Sequence, residues 1–198
     1  MRPGAACHRW ANLMILPAFR RGSLDRSITT VYGMIVARAR SAAFYREYGV
    51  PDTVQGRFDL IVLHLVLLLR RLGRESNAGR RIGQGLFDAF CRDLEGNLRE
   101  MGVGDLAVPN EMRRFGEAFY GRQAAYGAAF NAADERELER ALARNIFGVA
   151  AVDERAVRLA RYARASATQL DAEEDTALIA GRMSFPDPEA FADAPTYT

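Results

Sequence analysis

Lysine is absent from this chain of 198 residues, and all 27 basic side chains are arginine. Cysteine is scarce: Cys7 and Cys91 lie far apart, which excludes a disulfide framework and a CxxC metal pair and makes a reducing compartment the default. Histidine is equally scarce, with His8 and His64 alone, so a Ser-His or Cys-His catalytic device has little to draw on. The signatures GxSxG, HExxH, GxGxxG and GxxxxGKS are missing, and the glycines of GRRIGQG fall inside a helical pattern with no strand before them. No apolar run approaches the roughly 20 residues that a membrane span needs. The longest, Leu60 to Leu69, holds His64 and is followed by Arg70 and Arg71. A net charge of +2 is too small for a general polyanion binder.

What is present reads as one all-α domain. Prolines at Pro3, Pro17, Pro51, Pro109, Pro186, Pro188 and Pro195 leave two long proline-free stretches, 52–108 and 110–185, in which apolar residues recur at helical spacing. Helices are expected from about Ser27 to Ala39, Ala42 to Tyr48, Asp52 or Thr53 to Leu72, Ala78 to Met101, Pro109 to Asn131, Asp134 to Phe147, Asp153 to Gln169 and Glu173 to Ala180. That makes a bundle of about six to eight helices. The third is apolar most of the way round, the mark of a central helix. Charge divides the chain: residues 1–26 carry five Arg and one Asp, and residues 171–198 carry one Arg and seven acids. We therefore expect a flexible basic lead over 1–26, with Met14 as an alternative start, a helical body over 27–181, and an extended or disordered acidic tail over 182–198.

Each chemical motif has a bland counterpart. His64 sits among Val62, Leu63 and Leu65 and reads as a hydrogen-bonded core histidine, since no second His or Cys is spaced to share a metal. Asp88 and Asp93 resemble the aspartate-rich element of prenyl-diphosphate enzymes, but their spacing puts them well apart around a helix. Helices over 27–48 could form a DNA-reading pair as in a small α-helical regulator, yet their join at Arg40-Ser41 lacks a turn glycine. Three segments are harder to reduce to turns and caps: 49–60 (GVPDTVQGRFDL), 86–109 (LFDAFCRDLEGNLREMGVGDLAVP) and 115–122 (FGEAFYGR). In the first, Arg57 and Asp59 place a charged pair at the start of the central helix. In the second, Gly102 and Gly104 permit positive φ, and Asp105 can satisfy exposed amides or cap the next helix.

These segments, in this order and spacing, resemble the ubiquinol-cytochrome c chaperone family. TVYGMIVARAR resembles its opening helix, GVPDTVQGRFDLIVLHLVLLLRRL its central helix, LFDAFCRDLEGNLREMGVGDL and AFYGRQAAY its most specific blocks, and ALARNIFG with GRMSFPDP its closing pieces. Leu94-Glu95 departs from an expected Met-Asp, and Asn110 stands where a Lys is common. The resemblance implies a non-catalytic helical assembly factor for complex III that meets cytochrome b, a hydrophobic membrane-protein client, with the ribosome or a small partner subunit as further partners. It implies no cofactor, no DNA, no membrane span but room for peripheral membrane contact, and a place in the cytoplasm of a bacterium or on the matrix side of a mitochondrion. The candidate partner-binding residues are Asp52, Arg57, Asp59, His64, Arg99, Glu100, Gly102, Gly104, Asp105, Phe119, Tyr120 and Arg122. On the residues alone, a DNA-binding regulator and an enzyme acting on an isoprenoid or quinone precursor stay open.

Overall fold

A helix with one apolar stripe needs one neighbour, while a helix apolar most of the way round must be enclosed. The chain meets both demands by wrapping four long helices around a fifth. The computed structural model describes residues 11–73 and 77–192, among which there are eight α-helices and no strand. They are α1 (Ala11–Ala39), α2 (Ala42–Arg46), α3 (Val54–Gly73), α4 (Asn77–Glu100), α5 (Val108–Asn131), α6 (Arg136–Leu142), α7 (Glu154–Ala172) and α8 (Asp175–Ile179). A π-helical turn (Ala143–Phe147) extends α6, and a short 3-10 turn (Pro188–Phe191) follows α8.

Helix α3 is the hub, and α1, α4, α5 and α7 all pack on it. From Phe58 to Leu72 nearly every side chain it carries is buried, His64 included. On α4, Ile82, Leu86, Phe90 and Leu98 face inward at the four-residue repeat, and Leu94 is half-buried. No helix among the described residues is long and apolar enough to cross a membrane.

One expectation needs correction and another is sharpened. The spacing starts the first helix at Ser27, whereas α1 is already helical at Ala11 and passes through Pro17. Just ahead of Ser27, Leu24 packs against the core, and just after it Ile28 fits the space that Gly85 of α4 leaves open. The segment after α8 is extended from residue 182 to 187, but it is seated rather than loose. Met183, Phe185 and Pro188 are buried, and three side chains of the body hold its carbonyls. Arg38 donates to the Phe185 carbonyl at 3.2 Å, Tyr48 to that of Pro188 at 2.7 Å, and Gln169 to that of Ser184 at 3.2 Å. Cys7, His8, Trp10 and residues 193–198 lie outside the described residues.

Candidate functional site

The turn that feeds α3 is built tightly. Gly49 closes α2 with φ of 65°, a left-handed conformation that favours glycine, and Pro51 lies beyond it. Thr53, rather than Asp52, caps α3, its Oγ1 accepting from the Gly56 N–H at 3.1 Å. Arg57 and Asp59 do not form the pair expected of them. Arg57 points outward to Asp52 at 2.8 Å, both of them well exposed. Asp59 points inward, two residues further along the helix, and meets Arg122 of α5 at 2.7 Å.

That buried pair ties three elements together. Asp59 also accepts from Gln55 at 2.9 Å, and Arg122 donates to the carbonyls of Ala118 and Asn145, the latter in the π-helical turn. The Arg122 guanidinium lies over the Phe58 ring, 5.6 Å from its centroid. Burial pushes the Asp59 carboxyl up to about 6, with Arg122 and Gln55 pulling the other way. The pair, largely removed from water, links α3 to α5.

His64 is a core group, as its neighbours in the sequence suggest. Its Nδ1 lies 2.7 Å from the Leu60 carbonyl, which can only accept, so Nδ1 carries the hydrogen. Nε2 is then free to accept from the Tyr162 hydroxyl at 2.8 Å. Burial pushes the imidazole down to about 4 and keeps it neutral at ordinary pH. Its ring makes a T-shaped contact with Phe185, centroids 4.9 Å apart, so this histidine forms part of the tail's seat. Phe119 is likewise buried, in a cluster of tilted rings with Phe87 and Phe90. Asp59, His64 and Phe119 therefore cannot touch a partner directly. Asp93 accepts from the Tyr32 hydroxyl, and among the described residues no cluster of His, Cys, Asp or Glu could hold a metal ion.

The junction between α4 and α5 has the opposite character. Helix α4 ends in a Schellman motif: the Val103 N–H donates to the Leu98 carbonyl and the Gly102 N–H to that of Arg99, both at 3.0 Å, with Gly102 at φ of 83°. Gly104 has open space around it. Asp105 does not cap α5, since Ala107 occupies the cap position without a side-chain hydrogen bond. Instead Asp105, 89% exposed, lies 3.4 Å from Arg99, which also reaches Glu95 at 2.8 Å. Glu100 is exposed as well. An ion pair this open contributes little to stability, so Asp105→Ala should leave the thermal midpoint unchanged; a clear drop would show that the carboxylate caps after all.

Large apolar side chains that stay exposed gather at this end. Leu106 is 96% exposed, Val54 59% and Met101 52%. Val54 lies at the same end of the bundle, because Phe58, one turn further along α3, packs on Phe90 and Phe115 with ring centroids 5.9 and 4.9 Å apart. Tyr120, 58% exposed, stands apart on an open groove of about 360 Å³ that it lines with Leu69, Leu72 and Phe87. The sequence singled out Asp52, Arg57, Arg99, Glu100, Gly102, Gly104 and Asp105 around this end but not Val54, Met101 or Leu106. A lone apolar residue in a turn carries no periodic signal.

The model of a known family, described as ubiquinol-cytochrome C chaperone, matches residues 46–185. The chain belongs to the ubiquinol-cytochrome c chaperone family. The match runs from the end of α2 to Phe185 and so takes in the hub helix, the exposed junction and the start of the tail's seat. A relative from Xenopus laevis, ubiquinol-cytochrome-c reductase complex assembly factor 1, is 28% identical over 142 residues, covering 71% of this chain and 70% of that protein. The crystal structure of the Cbp3 homolog from Brucella abortus shares the fold with a TM-score of 0.79 at 38% identity, covering 89% of this chain and 98% of that one. Membership in a chaperone family means that the chain is not an enzyme, which retires the isoprenoid reading. The DNA-binding reading goes with it, because α2, its would-be recognition helix, spans only Ala42–Arg46.

Proposed function

We propose that this chain is an assembly factor for ubiquinol-cytochrome c reductase, complex III, and that it holds newly made cytochrome b before that subunit is built in. Family membership and the name of the Xenopus relative support the complex. The observation that carries the client is the exposed end of the bundle, where Val54, Met101 and Leu106 show apolar surface that the protein's own core does not use. The work needs no cofactor, and the ribosome or a small partner subunit can share it. It takes place on the cytoplasmic face in a bacterium and on the matrix face in a mitochondrion.

The test is capture of cytochrome b from cells that express tagged chain, read beside thermal unfolding. Asp105→Asn is expected to reduce capture at unchanged melting, since its side chain is exposed and does not hold the fold. Arg122→Gln is expected to lower melting and capture together, because it strands Asp59 in the interior. Normal accumulation of cytochrome b in cells lacking the chain would overturn the reading.

A further inference from the structure

Resting on the reading of the chain as an assembly factor for a membrane enzyme, we infer that the α4–α5 end is a seat for one part of its client, an apolar helix end flanked by lysine or arginine. Leu106 is not exposed through looseness. The Ala107 and Val108 N–H groups both donate to the Gly104 carbonyl, at 2.8 and 3.2 Å, and Leu98 and Val108 are buried beneath the turn. A braced turn thus presents a leucine to solvent, and Met101, five residues before it at the end of α4, is exposed as well.

Charge selects the occupant. The chain as a whole is +2, yet this end is negative: Glu95 and Asp105 share the single guanidinium of Arg99, and Glu100 has no cation partner among the described residues. Apolar surface ringed by surplus carboxylate repels anionic lipid and nucleic-acid phosphate, and it favours an apolar segment that carries cations at its edge. Membrane helices have that composition where they end on the side from which they are inserted, the side enriched in Lys and Arg. Both halves of the seat are needed, since the leucine gives contact without direction and the carboxylates give direction without contact.

The test uses the full chain and two fluorescent peptides with the same short Leu/Ala helix, one ending in Arg-Lys-Arg and the other in Glu-Asp-Glu. Fluorescence anisotropy should show the basic-ended peptide binding about tenfold more tightly, with a preference that shrinks as salt rises. Met101→Ser with Leu106→Ser should weaken both peptides about tenfold at unchanged melting, and Glu100→Arg with Asp105→Arg should reverse the preference. Equal affinity for the two peptides, indifference to the serine changes, or tighter binding to vesicles of anionic lipid would each overturn the seat. Cytochrome b capture separates this inference from the reading beneath it. If the serine variant captures cytochrome b normally, the seat is wrong and the assembly role stands. If the basic-ended peptide binds as described while cells lacking the chain keep full complex III, the seat stands and the role falls.

Discussion

Gly56→Ala should lower stability by about 3 kcal/mol or more. A β-carbon at Gly56 would stand 2.0 Å from the Pro51 carbonyl oxygen and 3.1 Å from its carbonyl carbon. Both are backbone atoms of the turn that feeds α3, and that turn is held in place, the Pro51 carbonyl accepting from Thr53 N–H at 2.9 Å. No rotamer change relieves the clash, so the first turn of α3 must lift, taking with it the Thr53 cap and the nearby Asp59 to Arg122 pair. Gly96→Ala makes the control: it is also a helical glycine, with nothing within 4 Å of a β-carbon. It should gain about half to 1 kcal/mol from helix propensity alone. Urea unfolding of the two variants beside the parent decides the matter, and a Gly56→Ala midpoint equal to the parent's would show that the turn can move.

Periodicity made most of the bundle legible because burial here is helical and local in its signature. Phe58, Leu60, Leu63, Leu67 and Leu68 announce a central helix, and the four-residue repeat from Ile82 to Leu98 announces a second. Gly49 before Pro51 and Gly102 after Glu100 mark helix ends, and both adopt positive φ. What stayed hidden depends on partners remote in sequence. Asp59 reads as the surface neighbour of Arg57, and only the arrival of Arg122 from α5 makes its burial tolerable. The tail segment SFPDP has no helical period and reads as loose, yet Arg38, Tyr48, His64 and Gln169 hold it. Gly56 reads as one more glycine near a helix start, since nothing in the sequence shows that Pro51 folds back over it. The family blocks drew attention to the α4–α5 junction through its charges and glycines and not through Leu106.

Changing pH should expose two buried groups that work against each other. The His64 imidazole lies at about 4 in the folded chain against an ordinary value of 6.5, so between these values the unfolded chain takes up the proton and the folded one does not. Stability contributed by His64 therefore rises with pH across that window. Asp59 lies at about 6 against 3.8, so in its window the folded chain holds the extra proton, and its contribution falls as pH rises. The windows overlap, so in the parent protein the two slopes oppose each other. Removing either group should unmask the other. His64→Gln should tilt the stability curve downward with rising pH between about 4 and 6 relative to the parent. Asp59→Asn should tilt it upward over the same range, on top of whatever loss follows from the altered hydrogen bonding to Arg122. Urea midpoints measured across that range for the three proteins separate slope from offset. If the two variants tilt the same way, at least one of these groups is not held in the buried state that its hydrogen bonds describe.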